Sequence, residues 1–265
     1  MNRLIPGVLM AGGCLALLLL GSGAMIRSVL LLVAVLGLLE YVRIIAPALS
    51  GLRLGQALGV SLLPAIGGLF GTVEAVLAGL VASLLAAVIS CLQRYPRLEN
   101  VFTTLCCCAF GALYISTSLA LLGLVTTQAN GPLWMVVLLA LIAGSDSGAY
   151  YVGKTWGRRK LLPAVSPKKT VAGAVGGLVS GLTVALGISW LLPLNPHPGR
   201  LLLAGGLLIL IGMIGDLAES VLKRSFAIKD SGTLLGGHGG VLDRIDSLLL
   251  AGPALYFLLS WNLLR

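Results

Sequence analysis

A chain of 265 residues that is 58% hydrophobic and only 10% charged, with a mean hydropathy of +1.04, has too little polar surface for a soluble domain. Its net charge of +9 accompanies apolar runs rather than a basic, aromatic-laced face, so nothing in it points to nucleic acid as a partner. The solvent for most of its side chains is therefore lipid.

A hydrocarbon core takes about 20 helical residues to cross. Nine apolar runs approach that length, near 4–22, 25–42, 54–71, 73–92, 101–125, 132–151, 171–192, 201–221 and 244–263. The pair around Gly71 also reads as one re-entrant unit. The start, MNRLIPGVLMAGGCLALLLLGSGA, has the build of a signal peptide, but more spans follow at once and a first spanning helix is the better reading. The fold expected is all-α: a polytopic integral membrane protein of about nine transmembrane helices. A single membrane domain is expected over 1–265, with helices lacking motifs over 1–130 and, over 131–265, the helices and cytoplasmic loops in which the motifs read below as catalytic lie.

Basic residues orient it. If nine helices alternate sides, fifteen of the eighteen Lys and Arg share one side, and only Arg27, Arg200 and Arg265 fall on the other. The positive-inside rule then puts the N-terminus in the cytoplasm and the C-terminus outside, and the same charge suits anionic membrane lipids. Cys14, Cys91, Cys106, Cys107 and Cys108 lie in apolar segments without metal-ligand spacing and read as small hydrophobes. Gly51, Gly55 and Gly59, and again Gly173, Gly177 and Gly181, recur every fourth residue and predict flat stripes for close helix packing.

The acids concentrate late. Six of nine lie between Asp146 and Asp246, several at the ends of spanning runs, where ionised groups are expensive and usually functional. In GDLAESVLKR, Asp216, Glu219, Ser220 and Lys223 share one helix face at i, i+3, i+4 and i+7. Asp243 and Asp246 are three apart at the start of the last helix. Paired carboxylates suit a hard cation such as Mg2+, and helix-cap acids paired with Arg244, Lys223 or Arg224 fit the spacing nearly as well. GGHGG, from Gly236 to Gly240, leads into the helix bearing Asp243, so backbone N–H groups there can approach a phosphate. In SPKKT, Pro167 holds Ser166 extended, Lys168 and Lys169 can meet phosphate, and Thr170 is placed to cap a helix.

The segment SVLKRSFAIKDSGTLLGGHGGVLDRID, from Ser220 to Asp246, resembles the signature of the phosphatidate cytidylyltransferases, and DSGAYYVGKTWGRRKL and SPKKTVAGAVGG are similar to that family's preceding segments. It departs from the family pattern at Ala172 and Gly236. The resemblance implies that CTP and phosphatidate give CDP-diacylglycerol and diphosphate, in phospholipid biosynthesis at a bacterial cytoplasmic membrane. It implies Mg2+, with room for a second cation, held by Asp216, Asp243 and Asp246 with Asp146 as a fourth ligand. Catalysis would rest on Asp216, Lys223, Asp243 and Asp246. Substrates would meet Ser166, Lys168, Lys169, Ser220, Arg224, Lys229, Asp230, His238, Gly239 and Arg244. A homodimer is left open. The rivals are a CTP-dependent lipid kinase, against which the intact glycine-rich pattern speaks, and a secondary transporter, which would place its acids at mid-membrane in repeated halves.

Overall fold

The computed structural model describes residues 4–95, 101–232 and 239–264, so His238 and Gly236 lie outside the described residues. Every apolar run is helical. The first four form α1 (Leu4–Leu20), α2 (Gly23–Ile45), α3 (Gly51–Gly68) and α4 (Val73–Arg94). The fifth is continuous over 101–127 but changes pitch: α5 (Val101–Phe110), a π-helical stretch Gly111–Thr117, α6 (Ser118–Leu124) and a short 3-10 turn. Then come α7 (Gly131–Trp156), α8 (Val171–Leu191), α9 (Pro198–Ser225) and α10 (Leu242–Ser260).

Where nine crossings were expected, the described residues form nine helical runs, of which six are long and apolar enough to span a membrane. Those six are α2, α4, the 101–127 run, α7, α8 and α9. The others differ in length or composition. α1 has 17 residues, α3 carries Arg53, Gln56 and several glycines, and α10 opens with Asp243, Arg244 and Asp246.

The helix starts follow local chemistry. Ser22 accepts a hydrogen bond from the Met25 N–H, and Thr72 from the Ala75 N–H, each satisfying a donor that the first turn leaves without an intrahelical partner. Pro132 and Pro198 sit in the first turns of α7 and α9, where a missing N–H costs nothing. Between α7 and α8 the chain forms an antiparallel hairpin that was not expected, β1 (Lys160–Leu162) and β2 (Ser166–Thr170), with Lys160 opposite Thr170 and Leu162 opposite Ser166.

Contacts divide the chain into two units. One comprises 1–20, 128–229 and 245–265; the other comprises 21–127 and 230–244. In the first, α7 and α8 form the most extensive helix pair. Gly173, Gly177 and Gly181 of α8 are buried, and a Cβ on each would stand 2.8–2.9 Å from the carbonyls of Ala149, Ser145 and Leu141. That stripe packs as expected. Ser180 reinforces it by donating to the Gly144 carbonyl at 2.8 Å.

In the second unit, α3 and α4 make the main pair. The glycines responsible are not the expected ones. Gly51, Gly55 and Gly59 are exposed with open space around them, whereas Gly67 and Gly79 lie against the backbone of the neighbouring helix, at Ala75 and Leu63. Four-residue spacing says that small residues share a face but not which way the face turns. The π-helical stretch is buried here, with Ser116 Oγ donating to the Ser61 carbonyl at 2.6 Å. Of the cysteines, only Cys91 is buried, and all five are free thiols.

Candidate active site

Three elements of the first unit bring the predicted charges together. α7 supplies Asp146, β2 supplies Lys168 and Lys169, and α9 supplies Asp216; all four line a cavity of about 320 Å³. The volume falls within the usual range for small-ligand sites, about 300–1,000 Å³. Its remaining wall is largely apolar, including Ala149, Leu161 and Met213.

β2 is extended through Ser166 and Pro167 and runs straight into α8. Thr170 ends the strand and caps the helix, its hydroxyl accepting from the Gly173 N–H at 3.0 Å. The two lysines just before it are therefore tied to the α7–α8 pair. Lys169 Nζ stands 2.5 Å from Asp216 Oδ2, joining the hairpin to α9, and both side chains keep more than a quarter of their surface exposed.

α10 approaches α9 through Gly215, where a Cβ would collide with the Asp246 carbonyl. That contact is why Asp246 comes near its partners. Its carboxylate feels the charges of Asp216, Asp146 and Lys223, and Asp146 feels those of Asp216 and Lys169. The Ser247 N–H donates to Asp246 Oδ1 at 2.6 Å. One turn beyond Asp216, the buried Glu219 pairs with Lys223 at 2.5 Å, as their i, i+4 spacing predicts. Arg224 donates to the Ile228 carbonyl at 3.2 Å. Ser166, Ser220 and Arg224 belong to the same elements but do not line the cavity, and Lys229 is exposed beyond α9.

The donor set of Asp146, Asp216 and Asp246 is all oxygen and carries more like charge than Lys169 offsets, which fits a hard divalent cation. Among the described residues no three His, Cys, Asp or Glu side chains already enclose an ion position. A cation held by one or two carboxylates plus substrate phosphates does not require that they do.

The second unit holds a different kind of acidic site. Asp243, in the first turn of α10, accepts from the Ser231 N–H at 3.0 Å and the Gly240 N–H at 2.9 Å, both through Oδ2. Gly239 has φ +80, a left-handed conformation in which a side chain would be strained. Asp230 and Arg244 are exposed. Beside Asp243's partners lies a residue absent from every expectation above. Glu40 of α2, only 2% exposed, accepts from Val241 N–H and Leu242 N–H at 2.9 Å each and from the Ser231 hydroxyl at 3.1 Å. The available signal was a lone acid inside the apolar run LLEYVR, since ionisable groups in spanning segments are functional by default. A further cavity of about 440 Å³ in this unit, bordered by Tyr41, Arg53 and Cys107, holds none of the predicted residues.

Comparison with known proteins adds independent findings. The profile of the cytidylyltransferase family matches residues 1–261. The chain is 52% identical over 121 residues to the phosphatidate cytidylyltransferase of Bacillus subtilis (strain 168), a match covering 45% of each chain. It is 44% identical over 137 residues to the uncharacterized protein YnbB of Escherichia coli (strain K12), covering 51% of this chain and 45% of that one. With the phosphatidate cytidylyltransferase of Staphylococcus aureus (strain COL) it shares 41% identity over 133 residues, covering 50% of this chain and 51% of the relative. The chain spans about half the length of the curated relatives it matches.

Proposed function

Because the chain belongs to the cytidylyltransferase family, we propose that it joins CTP to phosphatidate, forming CDP-diacylglycerol and releasing diphosphate. The observation that carries this reading is the cavity in which Lys168 and Lys169 face Asp146 and Asp216, with Asp246 interacting alongside.

The chemistry asks little of a general base. A phosphate monoester has its second pKa near 6, so at neutral pH phosphatidate is already an anionic nucleophile. Its oxygen attacks the α-phosphorus of CTP, the bond from that phosphorus to the bridging oxygen breaks, and diphosphate leaves with the electron pair. The obstacle is repulsion between two polyanions. Lys168 and Lys169 offset it by contacting phosphate oxygens, and the bond to Asp216 keeps the Lys169 ammonium aimed into the cavity. Asp146, Asp216 and Asp246 would hold Mg2+, which supplies positive charge to the phosphates when bound.

Lys223 and Arg224, in the last turn of α9, carry over as further phosphate contacts, with Ser166, Ser220 and Lys229 as secondary ones. Asp243, expected from the resemblance as a metal ligand and catalytic residue, already accepts from two backbone N–H groups through Oδ2, and in this reading it fixes the approach to α10 instead. The distribution of Lys and Arg supports a cytoplasmic N-terminus and an extracytoplasmic C-terminus in a bacterial inner membrane.

The test uses purified protein with phosphatidate, Mg2+ and CTP labelled at the α- or the γ-phosphate. Label from the α-position enters the lipid and γ-label leaves in diphosphate; chelation stops both. Transfer of γ-label to diacylglycerol would instead establish a lipid kinase, and no transfer under varied detergents and metals would overturn the enzymatic reading.

A further inference from the structure

Glu40 combines deep burial with three hydrogen-bond donors. Its Oε1 accepts from Val241 N–H, and its Oε2 from Leu242 N–H and the Ser231 hydroxyl, across 191 to 202 residues of sequence. These partners flank the glycine-rich segment on both sides: Ser231 precedes it and Val241 and Leu242 follow it. A carboxylate is acceptor-only, and charge-assisted bonds of this kind are the strong ones. A buried carboxylate with fewer partners would be costly, so the arrangement holds only while both ends of the segment are in place.

Two glycines point to the same role independently. A Cβ on Gly232 would stand 2.6 Å from Glu40 Oε1, and one on Gly240 would press on Glu40 Oε2 and the Ser231 hydroxyl. Neither glycine is needed there for its backbone freedom, since the only positive φ in this stretch of described residues is at Gly239. Both are small because the Glu40 carboxylate occupies the space a side chain would take. Asp243 completes the assembly by holding the Ser231 and Gly240 N–H groups from the other side.

We propose that Glu40 is a positioning residue: its carboxylate clasps the two ends of the segment from Ser231 to Leu242 and sets the backbone that enters α10. The helices of the N-terminal half thereby take part in a reaction whose signature residues all lie in the C-terminal half. The consequence for turnover rests on the cytidylyltransferase reading; the clasp itself does not.

Glu40→Gln keeps the size but turns one acceptor into a donor, so at most part of the set survives. Glu40→Asp keeps both acceptors on a shorter arm, and Gly240→Ala leaves the acid but fills its space. Hydrogen–deuterium exchange on the full chain reads the clasp directly. Glu40→Gln and Gly240→Ala raise exchange at Val241 and Leu242 at least about tenfold, with Glu40→Asp between them and wild type. Kinetics on the folded, monodisperse fraction reads the consequence. Displacing a binding segment by about 1 Å can cost up to 100-fold, so kcat/KM for CTP falls roughly 10- to 100-fold in Glu40→Gln and recovers in part in Glu40→Asp.

A merely structural glutamate would lower the folded yield and leave kcat/KM of the folded fraction unchanged; that result overturns the positioning role. Unchanged exchange in Glu40→Gln overturns the clasp. Wild-type protein that turns over no CTP counts against the cytidylyltransferase reading instead, and exchange alone then decides the clasp.

Discussion

The two units treat their acids in opposite ways. In the unit containing α7, α8 and α9, Asp146 and Asp216 line one cavity with Lys168 and Lys169, and Asp246 feels the charge of both acids. In the unit containing α2, Glu40 and Asp243 are each supplied with backbone N–H donors. In the first arrangement, like charges set together are unfavourable by themselves, and under the proposed function a charged ligand would relieve them. The second is satisfied as it stands and so fixes a backbone. In the proposed reading, acids that repel belong to the chemistry and acids supplied with donors belong to its scaffold.

The largest effect that would sharpen this contrast is on turnover. Asp216→Asn and Asp246→Asn keep size and lose charge, so each should cut CTP turnover roughly 100- to 1,000-fold, the usual scale for losing one preorganised electrostatic contact. Their thermal midpoints in detergent should stay near that of wild type, because like-charge repulsion is relieved. Turnover close to wild type in both would remove the distinction between the units. Asp243→Ala should behave differently, losing stability as well as activity. Two charge-assisted bonds to backbone N–H groups go, at about 1.5–3 kcal/mol each as an upper scale, and a lowered midpoint would show it.

Smaller effects probe how each unit is held. Gly177→Ala puts a methyl against the Ser145 carbonyl, at 2.9 Å, and should destabilise the α7–α8 pair by about 1–3 kcal/mol. Gly55→Ala, which meets open space, should leave the midpoint unchanged or slightly raised. Smallest is Thr170→Ala, which removes the α8 cap and costs about 1 kcal/mol. Since Lys168 and Lys169 immediately precede that cap, KM for CTP should rise with little change in kcat, as steady-state kinetics would show.

Much of this was legible from residues alone, and the failures share a cause. Apolar length located every helix, because lipid demands it, and the charges on α9 faced one another as their spacing required. Thr170 capped α8 as its residue type suggested. The hairpin escaped because SPKKT lacks alternating apolar residues; its strands are fixed by pairing rather than by a buried face. The outward turn of Gly51, Gly55 and Gly59 and the role of Glu40 escaped because both depend on what stands opposite, and periodicity carries no information about a neighbour. For Glu40 that neighbour is some 200 residues away.

That separation bears on how the protein is made. When α2 leaves the ribosome, the donors that Glu40 will bind are still 191 to 202 residues from being synthesised. At about 5–20 residues per second, the delay is roughly 10–40 s. Throughout it, an apolar helix carries into the bilayer an acid that has not yet met its partners. Insertion machinery, water or a transient contact has to shield it until Ser231, Val241 and Leu242 arrive, so the surroundings of α2 are completed only after those residues have been made.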